Sequence, residues 1–151
     1  MCKFKWRKQV LSEDWPLLLE ADPSKGMVEI YLEQSDILEV REQKELIGIL
    51  VLKSNDIQTS EIMNLSVRED YRQKGIGRKL IEQALAFGRT KNDRKIMIAT
   101  GTTSLSALLL YQKCGFRVEA VERDYFTQHY AEILIENGVV LRDRLILSQE
   151  I

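Results

Sequence analysis

Cysteine is nearly absent from this 151-residue chain: Cys2 and Cys114 stand far apart and match no metal-ligand or redox spacing. Neither disulfide staples nor a bound metal is therefore expected to hold the fold. Proline is as scarce, with two residues, and no Pro/Gly/Ser-rich linker, repeat or low-complexity tract interrupts the sequence. The expectation is one domain spanning residues 1–151, long enough to bury a sizeable core unaided. No apolar run approaches the roughly 18 residues of a membrane-spanning helix, and no signal-peptide pattern is seen. A reducing cytoplasm is the expected setting. Neither sign of charge dominates, with 22 basic against 23 acidic residues. Such a balance leaves no global field to recruit nucleic acid or a membrane surface.

Against that neutral background one basic stretch stands out: Arg72-Gln73-Lys74-Gly75-Ile76-Gly77-Arg78-Lys79, four cations with no acid among them. It follows the apolar run Ile62 to Val67 and leads into Ile76, Leu80, Ile81, Ala84 and Leu85, the one-face spacing of an amphipathic helix. A strand thus gives way to a glycine turn that opens a helix. There the first N–H groups lack intrahelical partners and the helix dipole adds partial positive charge. Gly75 and Gly77 permit positive φ and close approach of a ligand to the backbone. The physics is that of an anion cradle, most naturally for a phosphate or pyrophosphate. Two better-known phosphate loops are excluded. No G-x-x-x-x-G-K-[ST] string occurs, and Leu80 stands where a dinucleotide fingerprint needs its third glycine. Nucleic acid is excluded as well, since no aromatics are interleaved with the cations.

The rest of the chain reads as follows. Phe4 to Val10 forms a first strand, and two short helices occupy 13–34. Asp22 is expected to cap the second of these ahead of Pro23, with Met27, Ile30 and Tyr31 on its apolar face. Ile37 to Glu42, Leu46 to Leu52 and Ile57 to Val67 are β segments, and Gly48 suggests a bulge or close packing. The basic loop and its helix run to about Lys91, followed by a strand at Ile96 to Ala99. Ser104 is placed to cap the run Leu105 to Cys114, with Gly115 as its C′ glycine, before a strand from Phe116 to Val121. Asn137-Gly138 is a strong hairpin signal, yet a long final strand from Val139 to Leu147 is the favoured reading, with 126–137 left open. The fold class is then α/β, a mixed sheet covered by helices, in the order β-α-α-β-β-β-α-β-α-β-β.

R-x-x-G-x-G after a strand resembles the acyl-CoA loop of the GNAT superfamily of N-acetyltransferases. A second motif downstream, Ser104, Ala107, Tyr111 and Gly115-Phe116, stands at that family's spacing. The pair is far more specific than either alone, and the element order extends the resemblance over nearly the whole chain. One departure is Ser104, where many members carry Asn. The resemblance implies acetyl-CoA as co-substrate and a primary amine, on a small molecule or a protein, as acceptor. It also implies homodimerisation through the final strands. Leu65, Ser66 and Val67 would face the pantetheine arm, with a main-chain N–H near Leu65 as oxyanion donor. Residues Arg72, Gln73, Lys74, Gly75, Ile76, Gly77 and Arg78 would hold the pyrophosphate, with Ser104 also at the cofactor. Glu61 would be the base through water, and Tyr111 the acid for the departing thiolate. The acceptor pocket would draw on Trp15, Tyr31, Glu33, Asp124, Tyr125, Tyr130 and His129.

Each role has a plainer counterpart. Tyr111 on an apolar helix is also what a core tyrosine looks like. Glu61 at a strand end is often simply exposed, and His129 is more readily a surface or packing residue. Cys114 reads as a small buried hydrophobe. A non-catalytic acyl-CoA binding or sensing module would keep the loop and lack turnover.

Overall fold

The structure, a computed structural model, describes all 151 residues. In chain order it contains β1 (Cys2–Arg7), α1 (Trp15–Ala21), α2 (Lys25–Leu32), β2 (Ser35–Glu42), β3 (Glu45–Ser54) and β4 (Thr59–Val67). There follow α3 (Ile76–Thr90), β5 (Lys95–Gly101), α4 (Leu105–Lys113) and β6 (Arg117–Glu122). Then come α5 (Tyr125–His129), β7 (Ile135–Glu136), β8 (Val139–Val140) and β9 (Arg144–Glu150). Seven strands form one mixed sheet in the order β1-β2-β3-β4-β5-β9-β6, and β7-β8 is a separate hairpin. All neighbours are antiparallel except β4 and β5.

Helices cover both faces of the sheet. On one face α3 and α4 bury Leu80, Ile81, Ala84, Leu85 and Tyr111 against Leu38, Leu50, Ile62, Ile96 and Ile98. On the other, α1 and α2 bury Leu17, Leu18, Val28 and Tyr31 against Ile37, Ile49 and Val51. Each fully buried aliphatic side chain contributes about 1.5–3 kcal/mol, so these two layers set the fold.

Several sequence expectations need correction. β1 stops at Arg7 rather than Val10, because the Arg7 guanidinium turns into buried Asp14 (2.7 Å to each carboxylate oxygen) and Glu39 (2.7 Å). The cap of α2 is Ser24, whose hydroxyl accepts from the Met27 N–H at 3.3 Å; Asp22 does not cap it. That start turns Val28, Tyr31 and Leu32 inward and leaves Ile30 72% exposed. In the last third the hairpin forms, its turn supplied by left-handed Asn137 (φ 53°) and Gly138 (φ 76°), and the final strand begins only at Arg144. Between them Leu141 donates its N–H to Leu134 (2.8 Å) and Asp143 accepts the Asp124 N–H (2.8 Å), so the chain bends instead of continuing as one strand.

The site depends on one irregularity. β3 and β4 pair as Leu52↔Ile62 and next as Val51↔Asn64, so Met63 is an extra residue on β4. Side chains alternate faces along a strand, and one inserted residue reverses the alternation. Ile62 therefore joins the α3 face with Leu52, whereas Asn64 joins the α1–α2 face with Val51. Beside the bulge, the parallel pairing of β4 with β5 ends at Ile62↔Ile98.

Candidate functional site

Beyond Ile62 the two parallel strands part, and a cleft of about 860 Å³ opens along β4. The backbone on that side is unpaired for a reason read from its neighbours. Arg68 donates its N–H to Ile47 of β3 at 2.8 Å. In an extended strand alternate residues turn their N–H and C=O to opposite edges. Val67 and Leu65 accordingly turn theirs to the edge that β5 has left. The Val67 carbonyl accepts there from Arg72 Nε at 3.0 Å.

Past β4, a 3₁₀ turn (Glu69–Tyr71) leads to the glycine loop. Gln73 (φ 61°) and Gly75 (φ 81°) are left-handed, and Gly75 is the N-cap of α3. The first helical bond is Lys79 N–H to Gly75 C=O at 3.1 Å. The N–H groups of Gln73, Lys74, Gly75, Ile76, Gly77 and Arg78 consequently have no main-chain partner. This run of free donors at the positive end of a 15-residue helix is suited to an anion. The four cations are less free than the sequence suggests. Arg72 is paired with Glu20 and Arg78 with Glu82 (3.5 Å), which leaves Lys74 and Lys79 without an ion pair. Gly77, inside the first turn, packs against Leu110 of α4.

The opposite bank is α4, and its C-terminus explains the spacing of Tyr111, Gly115 and Phe116. Phe116 donates its N–H to Tyr111 C=O (3.0 Å) and Gly115 donates to Gln112 C=O (3.0 Å). This is a Schellman cap, for which Gly115 takes a left-handed φ of 99°. The apolar contact that accompanies such a cap is the Tyr111–Phe116 edge-to-face pair, with ring centroids 6.4 Å apart. Tyr111 is thereby locked in place, 8% exposed, lining the cleft, with a hydroxyl that bonds to nothing in the chain. Burial, together with Cys114 nearby, pushes that phenol up to about 12. The Cys114 thiol is raised too, chiefly by burial.

At the far end the cleft meets α1, α2 and α5. Tyr130 donates to Asp22 Oδ1 (2.9 Å), and Asp22 Oδ1 also accepts the Ser24 N–H (3.2 Å). Asn64 Nδ2 donates to Leu18 C=O and to the Tyr31 hydroxyl, both at 3.0 Å, while its Oδ1 is buried without a partner. Burial raises the pKa of both Tyr31 and Tyr130, and the Asp22 carboxylate adds to the shift.

Of the residues expected from sequence, Glu61, Leu65, Ser66, Val67, Arg72, Gln73, Ser104 and Tyr111 line this one cleft, while Lys74 to Arg78 do not line it but lead on from Gln73 into the first turn of α3. Glu61 is half-buried and accepts from Asn55 Nδ2 at 3.2 Å. Ser104 stands at the N-cap of α4 but its hydroxyl does not cap; it donates to Glu136 Oε1 at 2.6 Å, as Thr103 does at 3.1 Å. The β7-β8 hairpin supplies that competing carboxylate, which sequence reading had left open. Tyr31, Tyr125 and Tyr130 line the far end of the cleft, whereas Trp15, Glu33, Asp124 and His129 do not line it. His129 is exposed, stacked on Tyr125 and bonded to its carbonyl at 2.8 Å. Asp22, Asn64, Glu136 and Arg144 were missed at this site; only Asn64 had a sequence mark, an amide inside an otherwise strand-like run.

A splayed pair of parallel strands beside a donor-rich helix start defines an acyltransferase-type fold. A profile of the Acetyltransferase (GNAT) family matches residues 6–116. An uncharacterized N-acetyltransferase of Bacillus subtilis, YvbK, is 42% identical over 135 residues, covering 89% of this chain and 87% of the relative. A GNAT family acetyltransferase from Elizabethkingia anophelis, solved with acetyl-CoA bound, superposes with a TM-score of 0.95 at 33% identity, over 99% of this chain and 98% of that one. A Bacillus subtilis acetyltransferase in complex with CoA gives a TM-score of 0.94 at 37% identity, over 100% and 99%. The chain belongs to the GNAT acetyltransferase family.

Proposed function

We propose that residues 1–151 act as one N-acetyltransferase domain that moves an acetyl group from acetyl-CoA to a primary amine by direct attack. The observation that carries this reading is the run of free N–H groups from Gln73 to Arg78, set at the end of an unpaired β4 edge. The donor set fits the coenzyme: the loop suits a pyrophosphate, and the outward groups of Leu65 and Val67 suit the amides of an extended arm. The solved relatives with acetyl-CoA or CoA bound support the same donor. Ser66 only supports the arm in this reading, since its side chain is buried and its N–H and C=O turn to β3.

In the reaction the acceptor amine must be neutral, and an alkyl amine with a pKa of about 10.4 is mostly protonated at pH 7. Glu61, on the acceptor side of the bulge, takes that proton through water. The Leu65 N–H donates to the thioester oxygen as charge develops on it. As the C–N bond forms and the C–S bond breaks, the proton left on the nitrogen departs by the same water path, and Tyr111 gives its proton to the thiolate and regains one from solvent; a thiol of pKa about 8.5 needs only modest help. Both groups stand on rigid elements, β4 and the capped α4. If pairing of the last strands of this sheet joins two copies, β6 is the one at an edge, since β9 lies inside the sheet.

Following thiol release from acetyl-CoA over a panel of amines tests the reading. Turnover with at least one amine is expected. Tight coenzyme binding with none turned over would favour a binding or sensing module instead.

A further inference from the structure

The acceptor end of the cleft has a composition that selects among amines. Its walls carry four aromatic rings, Tyr31, Tyr125, Phe126 and Tyr130. Two carboxylates, Asp22 and Glu61, line the same end, and neither forms an ion pair with any Lys or Arg of the chain. Asp22 accepts only from neutral donors, and Glu61 only from the Asn55 amide. Tyr125 lies near enough to both to feel their charge. Asn64, 5% exposed, adds a buried Oδ1 with no hydrogen-bond partner.

The two arginines at the cleft are already neutralised. Arg144 gives Nε to Glu122 Oε1 at 2.8 Å and lays its guanidinium on the Tyr125 ring, 3.7 Å from the centroid. Arg72 is paired with Glu20 and bonded to the Val67 carbonyl. No unpaired cation therefore stands at this end to receive an anionic substituent. An ammonium, by contrast, meets two carboxylates and the rings of Tyr31, Phe126 and Tyr130, all of which attract cations.

Resting on the acetyltransferase reading above, we infer that the acceptor is a small primary amine with an aromatic or apolar body and no carboxylate. α-Amino acids are excluded by the charge of their own carboxylate. Bringing a like charge within about 5 Å of an uncompensated carboxylate in a partly desolvated cleft is expected to cost on the order of 100-fold in selectivity.

The test compares 2-phenylethylamine with phenylalanine, which differ by one carboxylate, and with ethanolamine, which lacks the ring. With acetyl-CoA, kcat/KM for 2-phenylethylamine is expected to exceed that for phenylalanine roughly 100-fold and that for ethanolamine about 10-fold. Asp22→Asn keeps acceptors for the Tyr130 and Ser24 donors but removes the charge. It should narrow the first ratio about 10-fold and leave the KM for acetyl-CoA unchanged. Phenylalanine used as well as 2-phenylethylamine, or a ratio unmoved by Asp22→Asn, overturns the inference while leaving the acetyltransferase reading intact. Calorimetric titration of the same three amines into the protein reads the preference without turnover. A protein that turns over no amine thus refutes the proposed function, and binding still decides the acceptor class. Failure of 2-phenylethylamine to bind more tightly than phenylalanine overturns it.

Discussion

Tyr111→Phe separates catalysis from folding because the hydroxyl it deletes has no partner in the chain. The ring stays in the Schellman cap, in its edge-to-face contact with Phe116 and in the core beside α3. No buried donor or acceptor is orphaned, so stability near pH 7 should change by less than about 0.5 kcal/mol. The rate should fall. General acid catalysis is worth roughly 10²–10⁴-fold, and the good thiol leaving group places this case at the lower end, near 10²-fold in kcat. The KM for acetyl-CoA should hardly move. Alkaline pH gives a second readout. The folded phenol sits at about 12 against an ordinary 10, so folding favours its neutral form. The unfolded chain loses this proton first as pH rises, and the stabilisation, complete below pH 10, is lost between about 10 and 12. The linkage amounts to roughly 2–3 kcal/mol. Urea denaturation of both proteins at pH 8 and pH 11.5 should show a drop larger in the wild type than in the variant by about 2 kcal/mol, Tyr31 and Tyr130 contributing equally to both. An unchanged kcat would remove Tyr111 from the mechanism. A large loss of stability at neutral pH would show its hydroxyl to be structural.

Three further outcomes are expected. Gly75→Val forces a β-branched residue to φ +81°, costing about 1–3 kcal/mol, although its Cβ would meet no atom within 4 Å; calorimetry should show acetyl-CoA binding weakened at least 10-fold. Glu61→Gln keeps an acceptor for Asn55 and should leave the melting temperature alone while lowering kcat about 10²-fold, with relief at high pH, where the amine is already neutral. Glu136→Ala strips the acceptor from Ser104 and Thr103 and loosens the hairpin, which keeps only the Asn137 bond to the Thr103 carbonyl (2.7 Å). Denaturation should register about 1–2 kcal/mol, and hydrogen exchange should quicken in residues 135–140 first.

The two motifs were legible because each is a local backbone requirement. Residues Gln73 to Arg78 must leave donors free where a helix begins (the Arg72 N–H, expected among them, is taken by the Glu69 carbonyl), and Gly115 must be left-handed where one ends. Apolar periodicity gave the element order as far as β6 in the same way, since burial of one face shows along a single segment. The errors fell where distant groups competed for one partner. Asp22 reads as a cap until Tyr130, 108 residues later, takes the carboxylate. Ser104 reads as a side-chain cap until Glu136 arrives from the hairpin and takes its hydroxyl.

Strand-helix order as far as β6, the donor-rich turn and the glycine stop of α4 were thus settled by the amino-acid sequence alone, because short-range sterics and local hydrogen bonding dictate them. The bulge at Met63, the parting of β4 from β5 and the joining of Asp22, Glu61, Asn64 and Tyr130 in one cleft were decided only by the tertiary structure. Their positions depend on strand register and on which of several donors and acceptors meet first in space, and no single segment carries that information.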